Sequence, residues 1–139
     1  MKNFLIISQI AFLLFSCAPK EIEKIEASFE DGKPKLVCVY QNIDGVDVKV
    51  KERELYNNGN VRMEGVVKDG QREGLWKVYF DEGTLWSEGT YKNGKRNGEA
   101  KNYFPNGKLR YEGFFTDDKK SGHWKFYGED GKLLEEKDF

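Results

Sequence analysis

The sequence predicts an all-β fold, a meander of antiparallel β-hairpins, and three observations carry that expectation. Residues 54–139 repeat at a step of 24, with Gly59, Gly83, Gly107 and Gly131 in one column, Gly65, Gly89 and Gly113 in a second, and Gly74, Gly98 and Gly122 in a third. Within a unit, Leu109, Tyr111, Gly113 and Phe115 alternate with Arg110, Glu112 and Phe114, the period of two expected of a strand. Tight-turn signals such as Asn106-Gly107 and Asp130-Gly131 recur at the same phase. Self-similarity at a fixed step marks small units that bury their apolar faces only against neighbours.

The chain opens with a different kind of segment. Lys2 is a short positive head, and residues 4–15 are apolar except for Ser8 and Gln9. Twelve helical residues reach roughly 18 Å, short of a hydrocarbon core of roughly 30 Å, so residues 1–16 are expected to be an export signal. Leu14-Phe15-Ser16-Cys17 resembles the lipobox of bacterial lipoproteins, which implies cleavage before Cys17 and acylation of its thiol and new amine. Residues 17–27, mixed in charge, are expected to be a solvated, lipid-anchored tether, and residues 28–139 the repeat domain. Ala18-Pro19 lacks the Asp after the Cys that favours inner-membrane retention in such lipoproteins, so the resemblance implies a cell-envelope protein of the outer membrane. With Cys17 acylated, Cys38 has no intramolecular disulfide partner. Its setting in Leu36-Val37-Cys38-Val39-Tyr40 predicts a strand and a buried thiol.

The repeat domain is expected to begin with a weaker copy, because Phe29-Glu30-Asp31-Gly32-Lys33 matches Phe80-Asp81-Glu82-Gly83-Thr84. The step from Gly32 to Gly59 is 27, which implies a three-residue insertion around Asn42-Ile43-Asp44-Gly45. In the unit spanning 106–127, a strand runs from Leu109 to Phe115. Residues 116–122 read as a polar loop, like 92–98 one unit earlier, and a returning strand covers His123 to Tyr127. Half a repeat rich in charge, Leu133 to Phe139, closes the array.

Side-chain chemistry selects a register. Placing Glu64, Glu88 and Glu112 opposite Lys77, Lys101 and Lys125 puts three opposite charges on one face, each pair worth roughly 0.2–1 kcal/mol. The same register sets Gly65 against Trp76 and Gly113 against Trp124, an indole over bare backbone, with Ala100 opposite Gly89 in the middle unit. The indole face then collects Val61, Met63, Val67, Val78, Leu85, Tyr91, Leu109, Tyr111, Phe115 and Phe126 as the core stripe. A single layer would leave this stripe wet, so the sheet is expected to curl on itself or be capped.

The string Asn106-Gly107-Lys108-Leu109-Arg110-Tyr111-Glu112-Gly113-Phe114-Phe115, followed by Lys119-Lys120-Ser121-Gly122-His123-Trp124-Lys125-Phe126-Tyr127, resembles the bacterial variant of the MORN repeat. The resemblance covers about residues 54–139, departing from the pattern at Asp118 and Ala100. The whole chain is similar to the YwqK family, often labelled antitoxins. The resemblance implies an open, curved single sheet, and a scaffold or membrane-associated module.

Catalytic chemistry finds no constellation. His123 is the single histidine and no second ligand accompanies it, so no metal site is expected. Each column glutamate faces a lysine, which holds a carboxylate pKa down, away from acid catalysis. Lys68-Asp69-Gly70 and Lys92-Asn93-Gly94-Lys95 lack the Gly-Lys-Ser/Thr of a phosphate loop. With 23 basic against 24 acidic residues, nothing supplies the positive field that nucleic acid demands. No enzyme, cofactor or small-molecule substrate is expected. The register also sets Arg62 against Tyr79, Trp86 against Tyr103, and Arg110 against Tyr127, a ribbon of residue types enriched in binding hot spots. These six are the candidate partner-binding residues, alongside lipidation at Cys17. The expected function is a lipid-anchored, non-catalytic scaffold or binding module for a protein partner. The alternatives are an antitoxin or immunity protein that occludes a toxin and, further off, a lipid-binding module.

Overall fold

A computed structural model describes residues 20–139; the signal segment 1–16 and the lipidation position Cys17 lie outside the described residues. Ten strands follow one another: β1 (Glu21–Ser28), β2 (Pro34–Ile43), β3 (Val46–Leu55), β4 (Val61–Lys68), β5 (Gln71–Tyr79), β6 (Leu85–Lys92), β7 (Lys95–Tyr103), β8 (Leu109–Thr116), β9 (Lys119–Tyr127) and β10 (Leu133–Asp138). They form one sheet in sequence order with every pair antiparallel, so the expected all-β meander is the observed fold. Strand β1 corrects the tether: residues 21–27 are not a free linker but pair with β2, Lys24 opposite Cys38 and Ile22 opposite Tyr40.

Two kinds of turn alternate along the chain. In the first, Phe80 N donates to Thr84 O at 2.8 Å and Gly83 N to Phe80 O at 2.9 Å. The same pair of bonds recurs at Phe29, Tyr56, Phe104 and Gly128, so the weak first copy is a genuine unit. Its three extra residues do not make a loop. They lengthen β2 and β3 to 10 residues each, where β6 and β7 have 8 and 9.

The second turn replaces the loops expected at 92–98 and 116–122. Asn93-Gly94 and Asp117-Asp118 are two-residue turns with both residues at positive φ (49° and 80°, 48° and 68°), as suits the twist of a hairpin. The remaining residues stay in strands around a bulge. Between β4 and β5 the pairing jumps from Gly65–Trp76 to Val66–Glu73, leaving Gly74 and Leu75 unmatched. Gly74, at φ 66°, supplies the backbone shape that the bulge needs, and Gly98 and Gly122 do the same one and two units later. Two extra residues, an even number, keep the faces in phase, so Val67 stays on the indole side and is buried.

The indole register is the expected one. A Cβ on Gly65 would lie 2.4 Å from the Trp76 ring, and one on Gly113 would lie 2.2 Å from Trp124. Each indole also serves the bulge: Trp76 Nε1 donates to Val66 O at 2.9 Å, and Trp124 Nε1 to Phe114 O at 3.2 Å and Ser121 O at 3.1 Å. Removing roughly 200 Å² from water per indole contributes up to about 5 kcal/mol each.

The sheet neither closes on itself nor gains a second layer, because β1 and β10 remain its two edges. The indole face is covered instead by cations from its own strands. The Arg72 guanidinium sits 4.3 Å from the Trp76 ring, Arg96 lies 4.2 Å from Phe115, and Lys120 Nζ lies 4.5 Å from Trp124. Their long apolar stems dry the rings while the charges reach water. Tyr111, Phe115, Phe126 and Phe139 pack around Trp124 at centroid distances of 5.2–6.2 Å, leaving it 1% exposed.

Candidate binding surface

The opposite face carries the charges. Register places Glu64 opposite Lys77, Glu88 opposite Lys101 and Glu112 opposite Lys125, as expected from the sequence. Pairing between units joins these into one row, because Arg53 faces Glu64, Lys77 faces Glu88, Lys101 faces Glu112, and Lys125 faces Glu136. Eight charges thus alternate in sign across β3 to β10.

The column glutamates, however, do not close onto those lysines. Tyr79 OH donates to Glu64 Oε1 at 3.1 Å, Tyr103 OH to Glu88 at 2.9 Å, and Tyr127 OH to Glu112 at 2.8 Å. Burial, then the Glu88 hydrogen bond, pushes the Tyr103 phenol up to about 12. Tyr79 rises for the same two causes with Glu64 as its partner, and Tyr127 rises chiefly through Glu112. Each tyrosine is therefore a fixed donor to a carboxylate; the Lys77 and Lys101 heads make no ion pair among the described residues, while Lys125 Nζ lies 3.9 Å from Glu136.

This geometry revises the ribbon. The ladders stop one pair short of Arg62–Tyr79, Trp86–Tyr103 and Arg110–Tyr127. Toward the preceding unit, Arg62, Trp86 and Arg110 are the extra residues of bulges, so they face no residue there. They fold back over their own long turns: Trp86 lies 6.0 Å from Phe80, Arg110 is 5.6 Å from Phe104, and Arg62 pairs with Glu54. The six residues share one flank of the charged face, but the arginines and tyrosines serve different partners. Trp86 is 43% exposed.

The charged face also holds a row that the sequence reading overlooked. Val66, Leu75 and Phe114 are 43%, 50% and 46% exposed. Beside them run three open grooves of about 320, 180 and 250 Å³, each edged by ladder residues such as Lys77, Lys101 and Lys125. The signal lay in the columns: Val66, Thr90 and Phe114 occur at the 24-residue step, on the face assigned to charge.

Two further clusters involve titratable groups. Cys38 is fully buried, and burial raises its thiol. Nearby, Lys49 Nζ lies 2.7 Å from Glu26 Oε2, and Tyr40 OH donates to Glu26 Oε1. The Lys49 ammonium, then the Tyr40 hydroxyl, hold the Glu26 carboxyl at about 2, and Glu26 raises Lys49 in return. An acid held this low cannot deliver protons near neutrality, so the cluster is an ion pair that pins β1 to β3. His123 Nδ1 lies 2.8 Å from Asp138 Oδ1, which raises the imidazole above its ordinary value and ties β9 to β10. Among the described residues, no group of three or more His, Cys, Asp or Glu side chains is arranged to hold a metal.

The class that fold and surface define is a single-layer β-repeat protein with two accessible faces. Residues 72–93, 96–117 and 120–139 match the family described as MORN repeat variant, so the C-terminal half is an array of repeats similar to that unit. Each matched stretch spans a returning strand, the long turn and the next strand, such as β5 and β6, and so is offset by one strand from the hairpins closed by the two-residue turns, such as β4 and β5. MORN repeats are generally non-catalytic binding modules. No curated protein matches the chain.

Proposed function

We propose that this protein is a non-catalytic, lipid-anchored binding module that presents its charged face to a protein partner in the bacterial cell envelope. The observation that carries the reading is the alternating eight-charge row flanked by exposed Trp86, Val66, Leu75 and Phe114. Apolar anchors beside charges of both signs give contact area together with register, and such rows repel misaligned partners. Acylation at Cys17 would set the geometry. Three residues separate Cys17 from Glu21, the first residue of β1, so four residue steps, at most about 14 Å of chain, lie between anchor and sheet. The array would then stand close to the lipid surface, the outer membrane in this proposal, with β1 as its proximal edge.

Cross-linking of the full chain in native envelopes, followed by mass spectrometry, tests the proposal. A captured protein should be retained by wild type and reduced at least about fivefold by Trp86→Ala, with unchanged circular dichroism. Capture that is indifferent to Trp86 would remove this face from the proposal. Fatty-acid labelling of wild type against Cys17→Ser tests the anchor separately, and equal incorporation would end that part.

A further inference from the structure

The middle hairpin departs from its neighbours on the indole face, and the departure leaves a shaped hollow. In the flanking units an indole fills the space above Gly65 and Gly113, coming within 2.4 and 2.2 Å of where a Cβ would stand. Above Gly89 that space is open: the nearest side-chain atom to a built Cβ is Ala100 Cβ, at 3.9 Å. The walls are Trp76, Tyr91, Tyr111 and Phe115, and the free volume is about 110 Å³.

The polar features also repeat with one member missing. Val66 O and Phe114 O accept indole N–H bonds, whereas no indole reaches Thr90, which occupies the same column between them. Asn102 stands where neighbouring units have Val78 and Phe126. It is 4% exposed, and its Oδ1 has no hydrogen-bond partner among the described residues. Register sets it between Ser87 and Tyr111, both of which line the hollow. A buried acceptor without a donor costs free energy; Asn102 adjoins the hollow through Ser87 and Tyr111 without lining it, and marks the apolar fill that this unit lacks.

Charge among the lining residues is net positive, with Arg72, Arg96 and Lys101 against one carboxylate, Glu88, which accepts from Tyr103. Arg72 and Arg96 both line the hollow; Arg96 lies 3.6 Å from Asp118, while Arg72 makes no ion pair among the described residues. We propose that this hollow is a recognition site for a tryptophan side chain carried on an acidic segment of a partner protein. The entering ring would take the place that Trp76 and Trp124 fill in cis, over the Gly89 backbone, with Arg72 and Arg96 meeting the flanking carboxylates. The proposal rests on the reading of the chain as a protein-binding module, but it concerns the opposite face and is tested without the native partner.

The probes are indole and a capped Asp-Trp-Glu tripeptide, titrated into the full chain and followed by amide chemical shifts. Indole should bind saturably, with a dissociation constant on the order of a millimolar and shifts centred on Gly89, Ala100 and Asn102. The tripeptide should bind at least about threefold tighter, and Arg72→Gln should remove that advantage without weakening indole. Ala100→Trp restores the missing ring in cis. It should raise the melting temperature and weaken both probes at least about tenfold. Should that variant fail to fold, Ala100→Leu fills the same space and should likewise displace indole. Absence of saturable indole binding, or equal binding to the filled variant, overturns the proposal. Either outcome leaves the Trp86 experiment untouched, so the two readings fail independently.

Discussion

Replacing Gly113 with Ala adds one methyl group, and the structure fixes what that methyl meets. It would stand 2.2, 2.4 and 2.6 Å from three atoms of the Trp124 ring, where contacts under 3.0 Å do not persist. The ring cannot slide aside cheaply: it is 1% exposed, Phe115 meets it edge-on, and its Nε1 is held by two carbonyls. Overpacking of this kind costs about 1–3 kcal/mol, and loss of the indole hydrogen bonds adds about 0.5–1.5 kcal/mol, giving about 3 kcal/mol in all. Gly89→Ala is the internal control, since it occupies the same column and also lacks a positive φ. Its methyl would meet nothing nearer than 3.9 Å. There the stiffer unfolded chain should stabilise by about 0.4–1 kcal/mol. Urea denaturation followed by tryptophan fluorescence measures both. A double variant, Gly113→Ala with Trp124→Ala, should recover the glycine penalty against Trp124→Ala alone. Equal midpoints for Gly113→Ala and Gly89→Ala would refute the claim that the glycine column exists to seat indoles.

Two further outcomes follow from the titratable groups. The His123 imidazole, raised above 6.5 chiefly by Asp138, contributes stability that is complete below about 6.5 and lost as pH climbs through the higher folded value. Hydrogen exchange should therefore show β10 opening more readily at about pH 9 than at about pH 6, and Asp138→Asn should abolish the difference. An NMR titration placing the histidine at or below its ordinary value would contradict this. Cys38, fully buried with its thiol raised by that burial, should react with a thiol reagent at the rate of unfolding and not faster. Rapid labelling of the folded protein would show that the N-terminal hairpin opens on its own.

Most of the fold was legible because the repeat supplied its own controls. A single Gly–Trp pairing could be chance, but Gly65 with Trp76 and Gly113 with Trp124, at equal spacing, fix a register that a one-residue slip would destroy. The stretches 92–98 and 116–122 were harder, because polar residues around a glycine suit a loop and a bulged strand alike. What decides is the two-residue turn, and Asp117-Asp118 lacks the glycine that advertises it. Residues 21–27 read as a tether because four of the seven are charged and Ile22 and Ile25, three apart, fall on opposite faces, so no period-two apolar stripe marks a strand. As an edge strand, β1 gains from that charge, which discourages pairing with other sheets. The candidate surface was legible in composition but not in contacts. Which acceptor each tyrosine takes depends on side-chain reach across the twist, and pairing rules alone favoured the lysines for those glutamates.

The middle hairpin shows how one repeat can acquire a role without disturbing the array. In a stack, each unit's stability depends on itself and its two neighbours, so a weakened unit persists when flanked by strong ones. The units on either side keep an indole with its bulge hydrogen bond, while the middle one carries Ala100 and Asn102 and forgoes both ring and apolar fill. Sacrificing several kcal/mol of burial at one site is tolerable only because β4–β5 and β8–β9 hold the sheet in register around it. If Ala100 were merely a neutral departure, the stabilising Ala100→Trp change would carry no loss of binding on that face. The two hypotheses about this hairpin therefore separate on one measurement, the affinity for indole before and after the ring is restored.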